Sequence, residues 1–170
     1  MSSPRAVAPV IVSTTLAAGR GEDRVTPLIR DLARRLGYSC LDPRFITDGE
    51  EVGAALSQLL DQREIQVILT SGGTGVTPDD LTPEHTAPLI DKHLPGVMEA
   101  IRAYGRTKTP LAALSRGVAG VSGSTVIVNL PGSPSAVADA ADILSELLPH
   151  LCDQAADLRP TAAWKAGHDG

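Results

Sequence analysis

The chain has 170 residues, of which 42% are hydrophobic, and its formal net charge at pH 7 is -5. This length suits one compact domain. Aromatic residues make up only 2% of the chain, so aliphatic side chains must fill the core. The negative charge and the lack of a basic block argue against a nucleic-acid surface, which normally presents clustered lysine and arginine.

The cysteines and the hydropathy pattern indicate a cytoplasmic protein. Cys40 and Cys152 are far apart in the sequence and form no CxxC motif. A disulfide framework or a zinc site is therefore not indicated, and reduced thiols in a cytosol fit better. The N-terminal apolar run is too short for a signal peptide, and no stretch approaches the roughly 20 apolar residues of a membrane helix. We expect no contact with membrane.

Strands and helices are predicted to alternate in the first half of the chain. Continuous apolar runs indicate the strands, and apolar residues at helical spacing indicate the helices. In chain order, they are a strand at 6–13, a glycine-rich loop at 17–23, a helix at 25–36, a strand at 40–47, a helix at 50–63 and a strand at 65–70. The order βαβαβ predicts a mostly parallel sheet with helices on both faces, which is a three-layer α/β/α domain.

The second half predicts further helices and one confident strand. Thr82 is expected to cap a helix that Pro88 keeps short or bent. The following elements are a helix at 94–104, a small hairpin at 111–122, a strand at 124–130 and a helix that Ser133 caps and that ends near Pro149. We predict a single domain over residues 1–154 and a loosely ordered tail over residues 155–170, which Trp164 could dock.

Two glycine-containing loops follow buried strands. The first is "TSGGTGVTPDD" at 70–80, and the second is "NLPGSPS" at 129–135. Neither matches a P-loop or a dinucleotide-binding fingerprint. Glycine lets backbone amides approach an anion, but the first loop alone fits a tight turn equally well. The second loop leads into a helix N-terminus, which is itself an anion site. Because parallel strands bring both loops to one sheet edge, the pair favours a phosphate ligand.

Carboxylates lie beside these loops. Asp48 follows the second predicted strand, and Asp79 and Asp80 follow the first glycine loop. A phosphate would repel them unless a cation lies between, and Mg²⁺ binds one or two carboxylates together with substrate phosphates. A turn or helix-start role is the simpler interpretation for Asp79, whereas for Asp48 and Asp80 that role and metal binding are comparable. A basic group could also meet a small anion, although a solvated helix face explains most of its members: Arg102, Arg106, Lys108 and Arg116.

Three segments together resemble a known family. They are "ITDGEE", "TSGGTGVTPDDLTPE" and "LSRGVAGVSGSTVIVNLPGSPSAV". In this order they resemble the MogA/MoaB family of molybdenum cofactor biosynthesis, whose fold is shared with the G domains of plant Cnx and of gephyrin. The resemblance covers residues 10–152 and is nearest to the MogA-type molybdopterin adenylyltransferases.

The resemblance implies a trimeric three-layer α/β domain and a nucleotidyl transfer. AMP would move from Mg²⁺-ATP to the phosphate of molybdopterin with release of pyrophosphate, and a MoeA-type molybdenum-insertion protein would receive the product. A MoaB-like protein that binds molybdopterin without adenylylating it is the alternative. A trimeric scaffold domain, as in gephyrin, is a third interpretation, which the lack of a partner domain or long linker disfavours.

The resemblance also implies catalytic and binding roles for individual residues. Asp48 in "TDGE" and Asp80 in "DDLTPE" match the family's catalytic pair, and either is a candidate Mg²⁺ ligand. The implied substrate- and nucleotide-binding positions are Ser13, Ser71, Gly72, Gly73, Thr74, Gly75, Ser115, Arg116, Asn129, Pro131, Gly132 and Ser133.

Two positions depart from the family pattern. Many relatives carry Ser-Asp-Arg after the first strand, where this chain has Ser13 followed by Thr14, Thr15 and Leu16. Asp79 stands where relatives place an arginine before the second catalytic aspartate. Together the changes remove cations from the predicted site, and Arg20 or Arg24 are possible substitutes.

Overall fold

In the computed structural model, which describes residues 5–157, seven strands form one mixed sheet. The strands are β1 (Ala6–Val12), β2 (Ser39–Cys40), β3 (Arg44–Ile46), β4 (Ile65–Ser71), β5 (Lys92–His93), β6 (Ala119–Ser122) and β7 (Thr125–Leu130). Their spatial order is β2-β1-β4-β7-β6-β5, and β3 extends the edge by pairing with β1 beyond β2. β5 and β6 run antiparallel to their neighbours, while the other pairs are parallel.

Six α-helices connect the strands in the described part of the chain. They are α1 (Thr14–Ala17), α2 (Thr26–Leu36), α3 (Glu50–Leu60), α4 (Thr82–Thr86), α5 (Pro95–Arg106) and α6 (Pro134–Ala155). Two short 3₁₀ helices lie at Ala87–Leu89 and Pro110–Leu114. Within residues 5–157, no helix has both the length and the apolar character that a membrane crossing requires.

The core lies on both faces of the sheet, as expected for three layers. α2, α5 and α6 pack on one face around Leu32, Met98 and Leu144, each of which is almost fully buried. α3 packs on the other face through Val52 and Leu56. The central strands β1 and β7 are buried at every position, which is why they appear in the sequence as continuous apolar runs.

The structure corrects several boundaries in the first half of the chain. The glycine-rich loop expected at 17–23 begins inside a one-turn helix, α1, which Ser13 caps. The strand expected at 40–47 is two short strands, β2 and β3, because the chain leaves the ladder at Asp42 and Pro43. Thr82 does not cap α4: Leu81 occupies the N-cap position, and the Thr82 hydroxyl instead contacts Asp48.

The second half of the chain departs further from the predicted elements. The segment 111–122 is not a hairpin but a 3₁₀ helix followed by β6, which forms its hairpin with β7 through Gly123, whose φ is +57°. α6 does not end near Pro149. It continues to Ala155 because Leu148 and Cys152 keep its apolar face buried on either side of the proline. The predicted tail therefore begins on the last helical residue, and the rest of that tail from residue 158, with Trp164, lies outside the described residues.

Candidate functional site

The carboxyl ends of β1, β4 and β7 meet at one edge of the sheet. The strand register pairs Ile11 with Ser71 and Ser71 with Leu130, so the three ends are level. After β1 the chain continues to β2 and β3 on one side of the sheet, and after β4 it continues to β5, the outermost strand on the other side. Such a reversal of strand order opens a crevice at the carboxyl ends, where α/β sheets bind ligands. The predicted site residues after these strands therefore come together here.

The first loop, residues 70–80, depends on Gly72 and Gly73, which directly follow β4. Gly72 and Gly73 have φ values of +104° and +67°, in the left-handed region. A Cβ at Gly72 would lie 2.3 Å from the backbone oxygen of Val12, and a Cβ at Gly73 would lie 2.1 Å from Oδ2 of Asp48. The glycines are thus required both for the turn and for the close approach of a carboxylate.

Asp48 is half-buried and firmly held against this loop. Its Oδ1 accepts a hydrogen bond from the backbone N–H of Gly49 at 2.7 Å and one from the Thr82 hydroxyl at 3.3 Å. Its Oδ2 accepts from the backbone N–H of Leu81 at 3.1 Å. The carboxylate is therefore oriented by the N-terminal ends of both α3 and α4.

Asp80 borders the same loop from its far end. Its Oδ2 accepts from the backbone N–H of Thr77 at 3.0 Å and from the Thr77 hydroxyl at 2.8 Å. A Cβ at Gly75 would lie 2.6 Å from this oxygen. Asp79, by contrast, is exposed. The predicted pair, Asp48 and Asp80, thus flanks the glycines of one loop, each against a different glycine.

Arg116 joins the loop to its surroundings. Its backbone N–H donates to the oxygen of Thr74 at 2.9 Å, its Nε donates to the oxygen of Gly75 at 2.6 Å, and one terminal nitrogen donates to the backbone oxygen of Asp80 at 2.7 Å. The same guanidinium forms an ion pair with Glu84. This pairing lowers the pKa of Glu84 and, with smaller contributions from Asp80 and Asp48, raises the pKa of Arg116.

The second loop is joined directly to the first. The Ser71 hydroxyl donates to the backbone oxygen of Pro131 at 2.8 Å, and the backbone N–H of Gly72 donates to the oxygen of Leu130 at 3.1 Å. Ser133 caps α6, and its hydroxyl accepts from the N–H of Ala136 at 3.3 Å. The first turn of α6 contains no acidic residue, which leaves its positive end available to an anion.

Three predicted binding residues occupy different settings. The Asn129 side chain is fully buried below the loops, donates to the hydroxyls of Thr70 and Thr86, and accepts from the N–H of Val118. It therefore braces β7 from within. The Ser13 hydroxyl accepts from the N–H of Leu16 and caps α1. The Ser115 hydroxyl is buried and has no hydrogen-bond partner in the described chain.

Two cavities border the junction of the loops. The larger, about 620 Å³, lies between the loops, α5, the second 3₁₀ helix and the start of α6; of the predicted site residues, it is lined by Thr74, Gly75, Ser115, Pro131 and Ser133. The smaller, about 300 Å³, lies beside α1; of the predicted site residues, it is lined by Ser13, Ser71 and Gly132. Both have the dimensions of small-molecule sites.

The basic residues near the cavities already have partners. Arg102 donates to the backbone oxygens of Ser115 and Gly117 at 3.2 and 3.4 Å, and Lys108 forms an ion pair with Asp139; both cations line the larger cavity. Arg24 lines the smaller cavity and pairs with Glu22. Arg20 is exposed and lines neither cavity.

Sequence reasoning missed the residues that support the two aspartates. The sequence predicts only a helix cap for Thr82 and no role in the site for Glu84, yet Thr82 contacts Asp48 and Glu84 holds Arg116. The signal was present, because the segment "LTPE" directly follows Asp80 in the motif that carries the resemblance. Asp139, which pairs with Lys108 at the larger cavity, left no comparable signal.

In the described chain, a Mg²⁺ ion shared with substrate phosphates would find a free carboxylate oxygen on Asp80, whereas both oxygens of Asp48 already accept hydrogen bonds. Among residues 5–157, no group of three or more histidine, cysteine or acidic side chains is placed to bind a metal on its own. Mg²⁺ needs no such group, because it retains water and takes one or two carboxylates plus phosphate oxygens. Oδ1 of Asp80 accepts no hydrogen bond within the described residues, which leaves it available as a ligand.

Comparison with known proteins agrees with the fold and the resemblance. Residues 8–150 match a family described as a probable molybdopterin binding domain. The chain is 33% identical over 139 residues to the molybdopterin adenylyltransferase of Haemophilus influenzae, covering 78% of this chain and 69% of that protein. It is 38% identical over 143 residues to the molybdenum cofactor biosynthesis bifunctional protein of Chlorobaculum tepidum, covering 83% of this chain and 45% of that protein. The chain spans less than half the length of its longer curated relatives.

Solved structures show the same architecture. The molybdopterin biosynthesis Mog protein from Mycobacterium ulcerans superposes with a TM-score of 0.84 at 42% identity, covering 89% of this chain and 99% of that one. MoaB from Thermus thermophilus superposes with a TM-score of 0.83 at 36% identity, covering 92% of this chain and 98% of that one. The predicted three-layer fold class is confirmed. The chain therefore belongs to the MogA/MoaB family of probable molybdopterin-binding domains.

Proposed function

We propose that this protein is a molybdopterin adenylyltransferase of molybdenum cofactor biosynthesis, which transfers AMP from Mg²⁺-ATP to the phosphate of molybdopterin and releases pyrophosphate. The observation that carries the proposal is the placement of Asp48 and Asp80 on either side of one glycine loop, next to a second loop at a helix N-terminus. A relative 33% identical to this chain bears the name of this activity.

The reaction joins two phosphates. An oxygen of the molybdopterin phosphate attacks the α-phosphorus of ATP and forms a new P–O bond. The bond between the α-phosphorus and the oxygen that bridges to the β-phosphorus breaks, and pyrophosphate leaves with the electron pair. The nucleophile is already an ionised phosphate, so no strong general base is required. Positioning and charge neutralisation must therefore provide most of the rate enhancement.

The chain's own residues suit these two tasks. The backbone amides of the first loop and the N-terminus of α6 bind phosphate oxygens. Asp48 or Asp80 would hold a Mg²⁺ ion, which would neutralise charge on the ATP phosphates when it is bound. The two cavities, which different residues of the loop junction line, provide room for two substrates. A single site can thus bring the two phosphates together.

The proposal extends to assembly, as the family resemblance implies, and to location, as the cysteines and the hydropathy pattern indicate. We propose that the protein is a cytoplasmic homotrimer that passes adenylylated molybdopterin to a MoeA-type molybdenum-insertion protein. Multi-angle light scattering on the purified protein tests the assembly, and a mass of one chain would contradict it.

A MoaB-like binding protein without adenylyltransferase activity is the second candidate. It is favoured by the two departures from the family pattern, since Asp79 puts an exposed anion where relatives have a cation, and Thr14 and Thr15 replace the Asp and Arg that follow the first strand in many relatives. The 36% identity to a MoaB structure is consistent with this candidate too.

One assay separates the two candidates. Purified protein is incubated with molybdopterin, ATP and Mg²⁺, and the AMP adduct is measured by mass spectrometry alongside released pyrophosphate. The enzyme proposal expects both products, and omission of Mg²⁺ should abolish both. Binding of molybdopterin without either product would reject the enzyme proposal and support the binding protein.

A further inference from the structure

We propose that Arg116 and Glu84 are a positioning pair that fixes the loop carrying Asp80, and that Arg116 does not bind substrate. This assigns Arg116 a role different from the substrate contact that the family resemblance implies. The inference rests on the proposed function for its effect on catalysis, but its structural part can be tested without the reaction.

The hydrogen bonds of Arg116 are directed inward, to the loop. Its Nε and one terminal nitrogen donate to the backbone oxygens of Gly75 and Asp80, and both terminal nitrogens contact the carboxylate of Glu84. Few guanidinium N–H groups are left for a ligand, because arginine has five in total. Arg116 lines neither cavity at the loop junction, whereas its neighbour Ser115 lines the larger one.

Glu84 completes the restraint. It lies in the first turn of α4, two residues after Thr82, which contacts Asp48. The short segment from Leu81 to Glu84 therefore touches both halves of the site: its first two residues hold Asp48, and its last holds Arg116 and, through it, the loop that ends at Asp80. A change in this segment would alter the spacing between the two carboxylates.

The charge balance supports the same role. The carboxylate of Glu84 compensates the positive charge of Arg116, so a phosphate would have to compete with an ion pair that already exists. A cation used for binding substrate would be better left unpaired. Restraint of Asp80 needs no net charge, only hydrogen bonds with fixed directions, which the planar guanidinium provides.

Kinetics of Glu84→Gln and Arg116→Lys distinguish the two roles. If the pair positions Asp80, both variants should lower kcat by about 10–100-fold, as loss of an outer partner typically does, with a smaller change in the KM values for ATP and molybdopterin. If Arg116 binds substrate, Glu84→Gln would free it and lower a KM, while Arg116→Lys would raise that KM. This second pattern would overturn the proposal.

A second ion pair offers a matched control. Arg35 pairs with Asp142 between α2 and α6, and its side chain is 35% exposed compared with 36% for Arg116. Arg35→Lys and Asp142→Asn make the same chemical changes away from the loops and should leave kcat and both KM values unchanged. A fall in kcat equal to that of the Arg116 and Glu84 variants would mean that the effect is general, and would overturn the proposal.

Hydrogen exchange in the unliganded protein tests the positioning itself. Backbone amides of residues 73–81 should exchange faster in Glu84→Gln and Arg116→Lys than in the parent protein, while the amides of β1 and β7 keep their protection and show that both variants are folded. Unchanged exchange at residues 73–81 would overturn the positioning role. If the parent protein forms no adduct, the proposed function fails, yet this exchange result still decides whether the pair restrains the loop.

Discussion

The two loops at the sheet edge lie side by side but are restrained in different ways. The first spans ten residues before α4, and its shape depends on side chains from other elements, chiefly Asp48, Arg116 and Glu84. The second needs only Pro131, Gly132 and Ser133 to pass from β7 to α6. Its geometry follows from the strand end, the helix cap and the bond from Ser71.

The difference shows where the carboxylates can be placed. A short loop between a strand and a helix presents backbone amides and a positive helix end, which suit an anion. A longer loop can bring acidic side chains to the same place, but only if other residues hold it against its own flexibility. Substitutions in the first loop should therefore affect catalysis and packing together, whereas those in the second should act through the helix cap.

The largest expected effect is on catalysis by the first loop. Asp80→Asn keeps the size of the side chain and its bonds to Thr77 but removes the charge that we assign to Mg²⁺-ATP. Adenylylation should fall by about 10²–10³-fold, which corresponds to about 3–4 kcal/mol of transition-state stabilisation. The control is Asp61→Asn at the exposed end of α3, which should retain the parent rate. Near-normal turnover by folded Asp80→Asn would refute its role.

The loops should also differ in their tolerance of a methyl group. Gly73→Ala would place its Cβ 2.1 Å from Asp48 at a φ of +67°, so the free energy of unfolding should fall by about 1–3 kcal/mol. Gly132→Ala meets its nearest atom, the Cα of Gly72, at 3.5 Å, and its effect should stay within about 1 kcal/mol. Urea denaturation measures both, and equal losses would remove the contrast between the loops.

In the second loop, stability should depend most on Ser133, which caps α6. Ser133→Ala removes the acceptor for the N–H of Ala136 and should lower the free energy of unfolding by about 1 kcal/mol. Ser133→Asn keeps a side-chain acceptor at the same position and should restore most of that loss. If both variants lose the same stability in thermal or urea unfolding, the cap does not set the geometry of this loop.

The smallest expected effect is on pH dependence. Arg116 lowers the pKa of Glu84 in the folded protein, so the pair stabilises the fold above the ordinary Glu pKa of 4.5. This contribution should be lost as the pH falls through the lowered folded-state pKa, because protonated Glu84 no longer pairs. The difference in unfolding free energy between the parent and Glu84→Gln should therefore shrink towards zero in acid. A difference that grows on acidification would contradict the pairing.

Much of this architecture was predictable because it depends on local patterns. The apolar runs of β1, β4 and β7 and the spacing in α2 and α3 indicated a parallel three-layer domain, and strand ends alone brought both loops to one edge. α6 exceeded its predicted end at Pro149, because burial of its later apolar residues outweighs the helix-breaking tendency of one proline.

The supporting contacts of the site were less accessible. Whether Thr82 caps α4 or contacts Asp48 depends on a residue 34 positions away. The motif places Thr82 next to the site, but it does not identify this partner. The same applies to Asn129, which the family resemblance placed in the binding set and which the structure shows hydrogen-bonded to Thr70, Thr86 and Val118 below the loops. Motifs indicate which residues gather at a site, while long-range hydrogen bonds decide what each of them does.

The central claim is that the sheet-edge site transfers AMP and does not merely bind molybdopterin. The most direct measurement is the ratio of adenylylated molybdopterin to pyrophosphate formed by purified protein with ATP, Mg²⁺ and molybdopterin. We predict equal amounts of the two products, both strongly reduced in Asp80→Asn. Molybdopterin that binds but gains no AMP, with no pyrophosphate above the level without protein, would contradict it.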